Sequence, residues 1–183
     1  DDSVPVASYH QLTHAGKPFL FVVRQAETLS ADAVSTDHVG GARALMQHLI
    51  SLGHRRIAFI GQARTRALRH FVGYREALRA AGLPEDPALQ VHSDVTPFDD
   101  LGQRGVATLL ERGVAFTAIF AQTDLVAVGV LLGLRAAGLR VPQDVSLVGF
   151  DNIPSAEHLD PPLTTIDHTV QEIGRLAVLF LQD

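Results

Sequence analysis

AIFAQTDLVAVGVLLGLRAAGLRVPQDVSLVGFDNIPSAEHLDPPLTTI, residues 118–166, places polar residues at the points where apolar runs stop. Two such points stand out, Thr123-Asp124 and Asp151-Asn152. Each follows a short strand-like run, 118–121 and 145–150, and the first opens a helix-like stretch that closes near Gly138. In open parallel sheets, ligands sit at the carboxyl ends of the strands. Both polar pairs therefore fall where a small molecule would be held.

Working outward, the apolar runs 18–23, 57–60, 88–91, 118–121 and 145–150 read as parallel strands covered on both faces. Helical patterns lie between them. Val39, Ala42, Met46, Leu49 and Ile50 form one stripe; Leu68, Phe71, Val72, Arg75 and Leu78 form a second with one polar member; 101–110 carries the same spacing. Gly53, Gly82, Gly113 and Gly138 each follow a helical stretch, where glycine closes a helix in the left-handed conformation. Such alternation predicts an α/β chain with right-handed crossovers and a doubly wound parallel sheet.

With 183 residues, 46% of them hydrophobic, the chain can bury a core in one or two compact units. The absence of cysteine excludes a disulfide scaffold and a thiolate metal site and agrees with a reducing cytoplasm. A formal charge of −5 argues against direct binding of nucleic acid, which needs concentrated lysine and arginine. No stretch approaches the ~20 apolar residues of a membrane span, and the start DDSVPVAS lacks a basic, apolar leader. No nucleophile elbow, phosphate loop or dinucleotide fingerprint occurs, so an enzyme is not expected. The acidic pair Asp99-Asp100 reads as favourable charge at a helix start. His10 and His14 share a helical face, but Gln11 stands where a zinc protease would need glutamate; they read as surface histidines, with no metal or cofactor expected.

The segment 118–166, together with Thr36-Asp37, LGHRRIAFIG (52–61), GYREAL (73–78), VPQDVSLVGFDN (141–152) and PPLTTI (161–166), resembles the LacI/GalR family of bacterial transcription regulators in order and spacing. The resemblance implies a periplasmic-binding-protein-like (type I) fold of two Rossmann-like lobes with parallel sheets around an effector cleft. It places 1–36 in a partial amino-terminal lobe, 37–164 in a complete carboxyl-terminal lobe and 165–183 in a segment returning to the first. The first lobe is then incomplete, with the helix-turn-helix headpiece outside this sequence. The implied function is effector binding and dimerisation in a LacI-type regulator, a cytoplasmic homodimer that meets operator DNA through that headpiece. The alternative from another class is a periplasmic solute-binding protein of a sugar-type ABC transporter.

The resemblance also assigns a site. At the end of its strand, Asp151 suits either an Asx-turn or ligand contact, and the resemblance favours contact with ligand hydroxyls. Thr123 suits an N-cap and occupies a position where relatives often have a ligand-binding asparagine. His168 stands where relatives often place a ligand-facing glutamine. Three departures modify the pocket: Val23 replaces an acid before Arg24, His70 replaces an arginine three residues before Gly73, and Val95 replaces an aromatic after Asp94. The effector, a sugar or other small metabolite, then meets a more apolar and less cationic site than that of sugar-binding relatives. For the dimer contact the resemblance points to 154–159, with His158 and Leu159, beside the helix bearing Leu125, Val128, Leu131 and Leu132. Burial of that helix on two sides within its own lobe is the other reading.

Overall fold

The computed structural model describes residues 6–22, 31–63, 68–94 and 97–182. The chain divides into two compact units, Asp1–Thr36 with Thr169–Asp183, and Asp37–His168. In the smaller unit, α1 (Val6–His14) precedes a parallel pair of two-residue strands, β1 (Phe21–Val22) and β2 (Ala33–Val34), and α6 (Val170–Gln182) closes the unit. Tyr9 and Phe21 pack with ring centroids 5.2 Å apart, and Phe19 completes the cluster. α6 buries Ile173 and Ala177 but leaves Val170, Val178 and Phe180 exposed. β1 is shorter than the expected 18–23, and Val23 lies outside the described residues. His10 and His14 are exposed on α1.

The larger unit is built on four parallel strands in the order β4-β3-β5-β6: β3 (Ile57–Gly61), β4 (Gln90–His92), β5 (Ala118–Ala121) and β6 (Ser146–Val148). β3 and β5 are buried along their whole length, which is why both read as unbroken apolar runs. Successive side chains of a strand point to opposite faces. Ile57, Phe59, Ala118 and Phe120 pack with Leu45, Met46 and Leu49 of α2 (His38–Ser51) and Tyr74 and Leu78 of α3 (Leu68–Ala80). Ala58, Ile60, Ile119 and Ala121 pack with Leu101, Val106 and Leu109 of α4 (Phe98–Glu111) and Val126, Val130 and Leu134 of α5 (Asp124–Ala136). Each large side chain so buried contributes about 1.5–3 kcal/mol. The sheet is thus wound on both faces. Its connections reverse direction between β3 and β5, the switch point at which such sheets open a crevice.

Two expectations about the helices and strands needed correction. The α3 stripe was read through Val72, which is exposed; the buried face instead centres on Tyr74, Ala77 and Leu78. Tyr74 is tolerated in the core because its hydroxyl donates to the Ile57 carbonyl at 2.9 Å. The run 88–91 is a 3-10 turn (Pro87–Leu89) followed by β4, because Pro87 fixes its own φ and the Asp86 carboxylate accepts from Ala88 N at 3.0 Å.

The segment after β6 stays with the larger unit. Bridges pair Val148 with Thr164 and Asp151 with Asp167, and Asp151 N donates to the Ile166 carbonyl at 3.0 Å. These hold residues 165–168 against the end of β6, so the division falls after His168.

His54 explains the first half of the LGHRRIAFIG stretch. Its Nδ1 lies 2.9 Å from Thr117 Oγ1 and its Nε2 3.0 Å from Ser146 Oγ, so one imidazole joins the starts of β3, β5 and β6. Burial lowers its pKa, in keeping with a neutral ring that donates at one nitrogen and accepts at the other. His54→Ala is expected to cost about 1–3 kcal/mol, two hydroxyls losing a shared partner. Urea unfolding measures this; a midpoint equal to that of the unaltered protein would remove the clasp from the account.

Candidate functional site

At the carboxyl ends of β3 and β5, Gln122 closes the switch point. Its Oε1 accepts from Gln62 N at 2.6 Å and lies where a Cβ on Gly61 would meet it, also at 2.6 Å, so a larger residue there would have to displace Gln122 and the Phe59 ring. Thr123, next in sequence, is the N-cap of α5: its hydroxyl accepts from Val126 N at 3.2 Å.

Asp124 organises the neighbouring loop. It is fully buried, and its two oxygens accept from Thr165 Oγ1 at 2.7 Å and Ile153 N at 2.9 Å, while its own N donates to the Phe150 carbonyl at 2.8 Å. Burial raises its pKa, and the hydrogen bonds from Thr165 and the Ile153 backbone oppose that rise. With both strands of the loop fastened, Asp151 and Asn152 are held at φ 115° and 54°, conformations that L-residues adopt rarely. Sequence reasoning paired Asp124 with Thr123 as polar residues at a strand end, but missed this anchoring role.

Asp151 is partly buried, and its carboxyl is pushed up to about 7, first by desolvation and then by the charge of Asp124. The folded form therefore holds a proton that the unfolded chain releases at an ordinary carboxylate pKa. Its contribution to stability is complete below the ordinary value and is lost as pH rises from about 4 to about 7. Asp151→Asn keeps the shape without the charge. It is expected to raise the melting temperature at pH 8, by an amount equivalent to roughly 2 kcal/mol, and to change nothing at pH 4. Scanning calorimetry at the two pH values checks this, an equal effect at both being the adverse result.

Beside Asp151, Phe150 is ringed by three imidazoles of the same unit. Its ring centroid lies 4.5 Å from that of His70, 5.7 Å from His38 and 6.1 Å from His168. His38 lies 4.8 Å from His70 and 5.2 Å from His168. His70, on the first turn of α3, is only 6% exposed, and neither of its ring nitrogens has a hydrogen-bond partner among the described residues; nor has His38 Nδ1. Burial lowers His70 to about 3, with His38 and His168 adding to the effect. Burial, then His168 and Arg69, lower His38 to about 4. Burial also lowers His168. Near neutral pH this is a cluster of uncharged rings. No group among the described residues is placed to hold a metal ion.

The structure therefore brings Asp151, His70 and His168 to one edge of the larger unit's sheet, with Thr123 at the start of the adjoining helix. Val23 and Val95 lie outside the described residues. His38 was missed, though it directly follows Thr36-Asp37; as the first residue of α2 it gave no periodic signal. On α5, Leu125 and Leu132 are 47% and 45% exposed and Val128 is partly buried, but Leu131 is only 6% exposed and packs into its own unit's core. Leu159 also packs partly against that core, whereas His158 is exposed on a 3-10 turn (Ala156–His158). A recess of about 480 Å³ lies at the other end of α5, between Leu131, Arg135, Val141 and Pro161. Arg135 is held there by Asp160, and Arg140 by Asp144 at 2.8 Å. Both guanidiniums of the recess are thus engaged.

Comparison with known proteins gives this edge a context. Residues 46–183 match the periplasmic binding protein-like domain. The chain is 37% identical to the HTH-type transcriptional regulator CelR of Thermobifida fusca, over all of this chain and 53% of CelR. It is 36% identical to the transcriptional repressor CytR of Escherichia coli K12, over 91% of this chain and 49% of CytR. The chain thus spans about half the length of these relatives. Among solved structures it resembles a CelR-cellobiose complex (TM-score 0.83, 37% identity, 96% of this chain and 54% of that one). A LacI-family regulator from Enterococcus faecium with bound ribose is similar too (TM-score 0.85, 31% identity, 98% of this chain and 66% of that one). These relatives are transcriptional regulators, which weighs against the transporter alternative. No helix among the described residues is long and apolar enough to cross a membrane. The chain belongs to the periplasmic binding protein-like domain family, in the form carried by LacI-family transcriptional regulators.

Proposed function

We propose that this chain is the effector-binding and dimerisation domain of a LacI-type transcriptional regulator, a cytoplasmic binding module and not an enzyme. Operator DNA is met through a helix-turn-helix headpiece outside the sequence. The observation that carries this reading is the edge beside Phe150, where Asp151 sits in a rare backbone conformation next to buried nitrogens of His38 and His70 that have no hydrogen-bond partner among the described residues. A small molecule there satisfies groups that the protein leaves open. Asp151, Thr123, His70 and His168 contact it directly; Val23 and Val95 are assigned to the same site from the sequence. A ligand that binds one conformational state more tightly than another shifts the population towards that state, and this is how the effector controls DNA binding.

The test is a thermal-shift screen of sugars, nucleosides and small metabolites. A ligand that binds only the native state adds about 2.7 kcal/mol of stability at a hundred times its dissociation constant. Binding that is unchanged in Asp151→Ala overturns the location; a screen in which nothing binds overturns the function.

The dimer contact is proposed to use the exposed side of α5, Leu125 and Leu132 with Val128, together with the 154–159 turn bearing His158 and Leu159. A two-fold contact uses the same surface on both copies. Leu131 is already buried within its own unit, so a charge there would disturb folding before it tested assembly. Leu125→Glu with Leu132→Glu in the full-length protein is the sharper test. Monomers by sedimentation velocity, with unchanged melting of the isolated domain, are expected; a persisting dimer would place the interface elsewhere.

A further inference from the structure

Resting on the effector site just proposed, the histidines carry a statement about ligand chemistry. We propose that His38 and His70 make the site select an uncharged, hydroxyl-bearing ligand and reject the phosphate ester or acid form of the same molecule. His70 leaves two ring nitrogens and His38 one without a hydrogen-bond partner among the described residues. Buried polar atoms in native proteins are almost always paired, so atoms left open beside a strained aspartate point to an absent ligand. A neutral imidazole offers one donor and one acceptor. A ligand hydroxyl also offers both, so a pair of vicinal hydroxyls satisfies the two rings in either tautomer.

An oxyanion accepts but does not donate. Against these rings it would face at least one unprotonated nitrogen, and to escape that it must have an imidazole protonated. Three features oppose protonation: the burial of His70, the neighbouring imidazoles of His38 and His168, and Phe150 at 4.5 Å from the His70 ring centroid. Asp151 follows Phe150 directly, with buried Asp124 fastening the same loop, and a second negative charge at this edge would be repelled by both. Arg69 bears on His38, but its side chain is on the exposed side of α3, where solvent weakens its hold on an anion.

The experiment pairs unmodified sugars and nucleosides, cellobiose and ribose among them, with their phosphate esters or acids, and measures binding to the domain by thermal shift and calorimetry at pH 7.5. Neutral members are expected to bind, each at least roughly thirtyfold tighter than its charged partner. His38→Phe and His70→Phe, which keep an apolar ring, are each expected to weaken the neutral ligand roughly tenfold, with partial recovery in His70→Gln. Charged members that bind as tightly as their neutral partners overturn the inference, as does a panel in which no neutral member binds. The comparison within each pair needs no variant, so a variant that fails to fold does not block it. If Asp151→Ala abolishes binding while both phenylalanine variants leave it unchanged, the effector site stands and the histidine inference falls. If Asp151→Ala also has no effect, the site itself has been misplaced.

Discussion

Asp124→Ala is expected to lower stability by about 2–4 kcal/mol and, in the fraction that stays folded, to abolish ligand binding. The loss follows from the groups left behind: the partly buried Ile153 N–H and Thr165 hydroxyl face an oxygen pair that no longer exists. The loss of binding follows from the loop, because without its anchor the φ of 115° at Asp151 is held only by the bridge to Asp167 and the bond to the Ile166 carbonyl. Asp124→Asn is the informative companion. Its amide oxygen can still accept from Ile153 N while its N–H donates to Thr165 Oγ1, whose hydroxyl rotates to accept, so most of the destabilisation is expected to be relieved. Chemical denaturation and calorimetry read the two effects separately. An Asp124→Ala protein that unfolds like the parent and still binds ligand would show that the loop holds its shape unaided.

Gly129→Ala is expected to be nearly as damaging, for a purely steric reason. A Cβ at Gly129 would lie 2.0 Å from the Asp99 carbonyl oxygen, and one at Gly102 would lie 2.2 Å from the Val126 carbonyl oxygen. The two glycines let α4 and α5 approach backbone to backbone. A backbone atom cannot rotate away as a side chain can, so the helices must separate and the core beneath them must repack, at a cost of about 2–4 kcal/mol. For a chain of this size that lowers the melting temperature by roughly 10 °C. Gly174 supplies the control: on α6, its added Cβ meets nothing within 4 Å, and Gly174→Ala is expected to be neutral or to gain about 0.5–1 kcal/mol from helix propensity. Equal melting of the two variants would mean that the close approach is not needed.

The sequence was most legible where one physical rule acted alone. The strands at 57–60 and 118–121 were readable because parallel strands covered on both faces leave an unbroken apolar run, and Thr123 because a hydroxyl before a helix caps it. Legibility failed where tertiary contact decides the outcome. Tyr74 was passed over as a core residue because nothing local shows that its hydroxyl will find the Ile57 carbonyl. Leu131 and Leu132 looked equivalent, yet one faces the core and the other solvent, a difference fixed by the angle at which α5 settles on the sheet. The site divides in the same way. Asp151 became a candidate from the end of its apolar run together with the family resemblance, but the meeting of His38, His70 and His168 around Phe150 joins residues from three separate parts of the chain, and no spacing reveals it.

The His54 clasp has an evolutionary consequence. It stitches β3, β5 and β6 together at their starts, whereas Asp151, Thr123 and the histidine cluster sit beyond their far ends. Substitutions around Phe150 and Asp151 are therefore spatially insulated from the fastening that keeps the strands in register. An imidazole of the cluster can be exchanged for another side chain without first accumulating compensating changes at the strand starts. If the proposed site holds an effector, its specificity can diversify at a handful of loop positions, with the tolerance for such change built into the geometry of the sheet.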